Sequence, residues 1–148
     1  MDNIKVQRMG IEHLDQVFVI EETCFVTPWS KEALRKELTE NETAIYLVAT
    51  DGNTVAGYAG MWHVVNEGHI TNIAVSEDYR RRGIGGMIVA ELIKLAQSRE
   101  MIGITLEVRI SNIAAQKMYT KYGFKPDGFR KNYYSDTHED AVIMWRYL

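Results

Sequence analysis

Seven consecutive residues, Arg80-Arg81-Arg82-Gly83-Ile84-Gly85-Gly86, combine three guanidinium groups with three glycines. They run into the series Ile84, Ile88, Leu92 and Leu95, a spacing that predicts a helix of about four turns. Glycines let a backbone come close to a ligand, and the first turn of a helix offers unpaired N–H groups to an anion. With added positive charge in a chain of net charge −3, the stretch would suit a diphosphate. A solvated basic turn with helix-starting glycines explains the same residues about as well. Two phosphate motifs are excluded. A Walker loop needs Lys-Ser or Lys-Thr after its last glycine, where this chain has Gly86-Met87. The dinucleotide fingerprint needs a third small residue where Ile88 stands.

Other side chains could do chemistry, and each also has a plainer reading. Glu107 interrupts an apolar alternation, either as a reacting carboxylate or as a solvent-facing residue paired with Arg109. Tyr119 is a candidate proton donor or a packed aromatic ring. Asn112 is placed to cap a helix. Trp29, Trp62 and Tyr133-Tyr134 are core packing or the walls of a substrate groove. Glu139-Asp140 could attract a cationic group or simply be solvated. No basic neighbour marks Cys24 as a nucleophile. His13, His63, His69 and His138 have no metal-ligand spacing, so no metal is implied.

The elements that must position these residues follow from periodicity. Ile4 to Met9 alternates as a strand. Ile11, Leu14, Phe18 and Phe25 recur near helical spacing, and Ser30, after Pro28-Trp29, caps a second helix carrying Leu34 and Leu38. Ala44 to Thr50 and Thr54 to Val65 flank the hairpin signal Asp51-Gly52-Asn53. Asn66-Glu67-Gly68 is a second turn, and His69 to Val75 completes an antiparallel meander. Beyond the glycine-rich helix, Ile102, Ile104, Leu106 and Val108 alternate as a strand, and Asn112 to Lys121 is a further helix. Strand, helix and strand between Ile70 and Arg109 form one βαβ crossover with parallel, right-handed connection. The tail is β-prone around Phe124, from Phe129 to Tyr134, and from Ala141 to Leu148. The fold class is α/β (α+β): a mixed, mostly antiparallel sheet of six or seven strands, flanked by helices.

With 148 residues and no repeat or linker, the chain reads as one domain, 1–148. The composition, 46% hydrophobic and 25% charged, is that of a soluble globular protein. No apolar run spans a bilayer, and Met1-Asp2-Asn3-Ile4-Lys5 has no signal pattern, so no membrane association is expected. A single cysteine precludes an internal disulfide and fits a cytoplasmic location. Net negative charge, with one basic turn instead of a basic stripe, speaks against direct nucleic-acid binding.

Arg80-x-x-Gly83-x-Gly85 resembles the acetyl-coenzyme-A pyrophosphate motif of the GNAT superfamily. Asn72-Ile73-Ala74-Val75 before it is similar to that superfamily's cofactor-side strand. Thr105-Leu106-Glu107-Val108-Arg109-x-Ser111-Asn112, Ala115, Tyr119 and Gly123-Phe124 resemble its second half. Pro28-Trp29-Ser30, Arg130-x-Asn132-Tyr133-Tyr134 and Glu139-Asp140-Ala141-x-x-Met144 extend the likeness almost end to end to the RimI-type ribosomal-protein alanine N-acetyltransferases. The resemblance implies acetyl-CoA as co-substrate, its pantetheine arm on backbone groups of Ile73, Ala74 and Val75. It further implies the pyrophosphate on Arg80, Arg81, Arg82, Gly83, Ile84, Gly85 and Gly86, with Asn112 also touching the cofactor. Glu107 is then the general base and Tyr119 the general acid. The implied acceptor is a protein N-terminus, the alanine of small-subunit ribosomal protein eighteen. Two places depart from the pattern: Gly86 stands where some relatives carry a basic residue, and Ser135-Asp136-Thr137-His138 replaces a Gly-Arg-containing loop.

Acetyl transfer needs a neutral amine, a stabilised oxyanion and a proton for the departing thiolate. An α-amine, with a reference pKa of about 7.7–8.0, is on the order of one-tenth neutral near pH 7, whereas lysine at about 10.4 is far less so. Tyr119 follows Asn112 by two helical turns, so both project from about the same face. If Asn112 touches the cofactor, as the resemblance implies, Tyr119 can lie along the same molecule near its sulfur. Backbone N–H groups at Ala74 or Val75 could hold the oxyanion. With no nucleophilic cysteine, transfer is expected to be direct, in a ternary complex. Acetylation of lysine side chains or small amines, and a non-catalytic coenzyme A sensor, are the alternatives.

Overall fold

The computed structural model describes residues 3–148. Its strands are β1 (Ile4–Arg8), β2 (Ala44–Asp51), β3 (Thr54–Val64), β4 (Glu67–Val75), β5 (Gly103–Arg109), β6 (Lys125–Tyr134) and β7 (Glu139–Tyr147). Its helices are α1 (Leu14–Cys24), α2 (Lys31–Thr39), α3 (Ile84–Ser98) and α4 (Ile113–Lys121). One seven-stranded sheet runs in the order β1-β2-β3-β4-β5-β7-β6. The strand pairs are antiparallel apart from β4 and β5, the parallel pair joined through α3. The expected mixed sheet with a central βαβ unit is therefore present. Among the described residues no helix is long and apolar enough to cross a membrane.

Two apolar clusters, one on each face, hold the helices down. Val17, Ile20 and Leu34 of α1 and α2 pack with Tyr46, Val48, Val55, Tyr58 and Ala74 of the sheet. Ile84, Ile88, Val89, Leu92, Ile93 and Ala96 of α3 pack on Leu47, Ala59, Met61, Ile104 and Leu106. Fully burying each Ile or Leu contributes about 1.5–3 kcal/mol, enough to fix how α3 lies on the sheet. Ser30 caps α2 as the sequence predicts, its hydroxyl accepting from Ala33 N–H at 3.0 Å.

Several boundaries move. Ile11 is exposed and belongs to a separate 3-10 turn, Ile11–His13, and Phe25 lies past the end of α1. The β3–β4 turn is shorter than expected, because Glu67 and Gly68 already pair with Val64 and His63. Ile102 is exposed and precedes β5, whose buried alternation starts at Gly103. The β-prone pieces around Phe129 belong to one strand, β6, interrupted by register shifts.

The feature that makes a site is a fork between β4 and β5. Gly60 pairs with Asn72 and Met61 with Ile70, so Thr71 is an extra residue in β4, a β-bulge. Pairing of β4 with β5 covers only Glu67–His69 against Gly103–Thr105 and stops just before that bulge. Beyond it the strands separate, and the β4 backbone from Asn72 to Val75 has no strand partner on the β5 side.

Candidate active site

A cleft of about 660 Å³ fills the fork. Thr71, Asn72 and Ile73 line it from β4, and Leu106, Glu107, Val108 and Arg109 line it from β5. Asn112, Ala115, Tyr119, Trp29, Trp62, His69 and Tyr133 also line it. Glu107, Tyr119, Ile73 and Asn112, distant in sequence, thus meet in one space.

Glu107 points away from the buried residues Leu106 and Val108, as strand alternation requires. Its side chain is only 8% exposed. One carboxylate oxygen lies 2.8 Å from His69 Nε2, and the other accepts from Arg130 Nε at 3.2 Å. The hydrogen bond from His69 lowers the Glu107 pKa most, burial works against it, and Arg130 lowers it further. Glu107 is therefore an anion with both oxygens engaged. His69 sits on β4 beside Thr105, at the last paired position before the fork. Considered in the sequence only as a metal ligand, it proves to be the nearest partner of Glu107. Among the described residues no group of three or more His, Cys, Asp or Glu could hold a metal ion.

Tyr119 is 4% exposed and packs edge-on against Phe124 at 5.7 Å between ring centroids. Burial raises its pKa well above the ordinary phenol value, with the neighbouring Tyr134 adding to the effect. It keeps its proton at neutral pH, the state a proton donor needs. Asn112 caps α4, its side-chain oxygen accepting from Ala115 N–H at 3.1 Å, and that geometry leaves it on the cleft wall.

The glycine-rich turn lies at the outer end of β4. Gly83 has a left-handed backbone, φ 75°, and immediately precedes α3. The helical ladder starts with Met87 N–H bonded to Gly83 C=O, so the N–H groups of Ile84, Gly85 and Gly86 precede it. Gly86 has a packing reason: a Cβ there would come within 2.4 Å of the Tyr122 hydroxyl. Any side chain at this place would require that ring to move. Arg81 is exposed, with φ 65°. The Arg82 guanidinium lies 5.0 Å above the Tyr79 ring. Arg80 turns back, donating to the Val75 carbonyl and to Cys24 Sγ, each at 3.4 Å. Along β4, Ser76 N–H bonds the Ala56 carbonyl of β3. Strand alternation therefore turns Ala74 toward β3 and leaves the backbone groups of Ile73 and Val75 facing the fork.

The acidic pair Glu139-Asp140 has internal work. Glu139 accepts from Ser111 N–H at 2.7 Å and Asp140 from Asn132 N–H at 2.9 Å. The first contact holds the Glu139 carboxyl below its usual range. Arg109 pairs with Glu139 at 3.5 Å and also grips the divergent turn: it bonds Asp136 at 2.8 and 3.2 Å and lies 4.0 Å above the Tyr134 ring.

Known proteins are similar to this chain in sequence and in fold. A Bacillus subtilis (strain 168) protein, provisionally named a [ribosomal protein bS18]-alanine N-acetyltransferase, is 42% identical over 140 residues, 95% of this chain and 93% of the relative. The [ribosomal protein bS18]-alanine N-acetyltransferase of Salmonella typhimurium is 36% identical over 133 residues, 88% of each chain. The crystal structure of the ribosomal-protein-S18-alanine N-acetyltransferase from Escherichia coli superposes with a TM-score of 0.89 at 31% identity, covering 97% of this chain and 93% of that one. Residues 14–124 match the acetyltransferase (GNAT) family, to which this chain belongs.

Proposed function

We propose that the chain transfers the acetyl group of acetyl-CoA to the α-amino group of a protein N-terminus, the alanine of ribosomal protein bS18, as one domain of residues 1–148. The observation that carries the reading is the cleft in the sheet, lined by both the His69–Glu107 pair and a protonated phenol. Its relatives give the acceptor class. A ribosomal acceptor and a single cysteine go with a cytoplasmic location.

The residues fit acetyl-CoA. N–H groups at the start of α3, beside Arg81 and Arg82, suit a diphosphate. The β4 edge offers the N–H and C=O of Ile73 and the N–H of Val75 to an amide-containing arm, the Val75 carbonyl being held by Arg80. Asn112 and Tyr119 flank the far side. Acetyl-CoA, when bound, supplies the activated acyl group. The chain's own residues do the rest.

The α-ammonium must first lose a proton, and near neutral pH that costs little for a group of pKa about 7.7–8.0. Glu107 is stabilised as an anion, so it is a weak base by itself. Its contact with His69 Nε2 leaves Nδ1 to accept the proton, while the carboxylate stabilises the resulting imidazolium. The nitrogen forms its bond to the acyl carbon as the carbon–sulfur bond breaks. Ile73 N–H, the fork-facing group of β4 that lines the cleft, steadies the charge on the carbonyl oxygen in place of Val75, which lies outside the lining. Tyr119 gives its proton to the departing sulfur, and the new amide nitrogen sheds its extra proton, which restores the phenol. Neither step needs an acetylated side chain.

Mass spectrometry of the protein with acetyl-CoA and two peptides tests the reading. One peptide carries the free N-terminal alanine of bS18 and the other is N-blocked with one free lysine. Acetylation of the first alone is expected. Acetylation of only the lysine would move the function to side chains, and transfer to neither would refute both.

A further inference from the structure

Trp62 stands on β3 directly opposite His69 on β4. The two rings meet edge-to-face, 6.4 Å between centroids. The indole N–H donates to Glu37 Oε1 at 2.7 Å. Tyr46 holds the same oxygen at 3.1 Å, and Asn41 holds the other at 2.8 Å. Three donors converge on this carboxylate, so turning the indole away would strip Glu37 of a partner in a half-buried place. The ring is fixed, and Trp62 is among the residues that line the cleft.

An amine that reacts at the His69–Glu107 pair must bring its nitrogen to about 3 Å from one of them. The carbon bearing that nitrogen is one bond away, and its side chain falls beside the imidazole. On the β3 side, that space is occupied by Trp62. We infer that Trp62, locked by Glu37, is the residue that restricts the acceptor's first side chain to a hydrogen or a single carbon branch such as alanine or serine. A longer first residue meets the indole before its amine reaches the base. A lysine ε-carbon carries no branch, so Trp62 exerts no such selection on it. The inference rests on the N-terminal acetylation proposed above.

The test is kcat/KM for peptides differing only in their first residue, alanine or methionine, with wild type, Trp62→Ala and Trp62→Phe. The methionine-to-alanine ratio is expected to rise on the order of ten-fold or more in Trp62→Ala, the size of discrimination that apolar contacts supply. Trp62→Phe, which keeps a ring against His69, should give a smaller rise. A ratio cancels any general loss of turnover caused by disturbing His69. Unchanged ratios in both variants, with wild type active on alanine, overturn the role of Trp62 and leave the proposed function standing. A wild type inactive on every free N-terminus overturns both.

Discussion

Glu21 and Glu107 are carboxylates lining one cleft, and their partners set them apart. Glu21 is 2% exposed and accepts from neutral donors: Trp29 N–H at 3.0 Å, Asn72 Nδ2 at 3.4 Å and the Tyr58 hydroxyl. These reach it from the segment before α2, from β4 and from β3, so one side chain ties three pieces together. Burial, then Glu21 itself, raises the Tyr58 phenol far above its ordinary value, which keeps that donor protonated. Glu107 instead faces His69 and Arg130, groups that carry or accept a proton. A buried carboxylate among neutral donors fixes shape, whereas one beside an imidazole at a cleft can help move a proton.

The sharpest way to break that comparison is to neutralise each carboxylate in turn. Glu107→Gln should lower kcat/KM for an N-terminal alanine peptide by about 10²–10⁴-fold, the range for a lost acid–base group, with little change in the thermal midpoint. Tyr119→Phe should lower kcat by about 10²-fold at the bottom of that range, while calorimetry shows coenzyme A affinity retained. Wild-type rates in both variants across pH would remove Tyr119 as the acid and Glu107 as the partner that lets His69 accept the proton.

Glu21→Ala should act on stability. It leaves the Tyr58 hydroxyl, the Asn72 amide and the Trp29 N–H without their acceptor, at a cost of about 1–3 kcal/mol in urea unfolding. Its kinetic effect should fall on the acceptor KM, because the 25–29 segment it anchors lines the cleft. A large drop in kcat at unchanged stability would reverse the roles given to the two carboxylates.

How far these roles were readable depends on how local their causes are. The glycine-rich turn, the Ser30 and Asn112 caps and the amphipathic face of α3 are set by residues within a turn or two of one another, and periodicity found them. The fork was not readable: Thr71 is a bulge in β4 with no glycine or proline to mark it, and its pairing is decided by β3. His69 and Glu107 lie 38 residues apart, and Arg130 arrives from β6 just where its pairing with β7 becomes irregular. Trp62 was left between packing and groove, because its orientation depends on Glu37, 25 residues earlier. Glu139-Asp140 stayed open for the same reason, since the backbone N–H groups that occupy them belong to Ser111 and Asn132.

The smallest expected effect is the pH dependence of stability carried by Glu107. Its folded pKa is lowered, first by the His69 hydrogen bond and further by Arg130, against an unfolded value of about 4.3. Between the two values the unfolded chain binds more protons than the folded one, so stability rises with pH there. The contribution is fully present above the unfolded value and is lost as pH falls through the folded one. Asp136 and Glu139 are lowered as well, by Arg109 and by Ser111 respectively, and they add the same slope to any variant that keeps them. Urea unfolding of wild type and Glu107→Gln, from about pH 6 down to about pH 3, therefore isolates Glu107 as the difference between two curves. Wild type should lose more stability than the variant over that interval. Parallel curves would mean that the imidazole and guanidinium do not hold the charge in solution, and Glu107 would then be free to act as a base without His69.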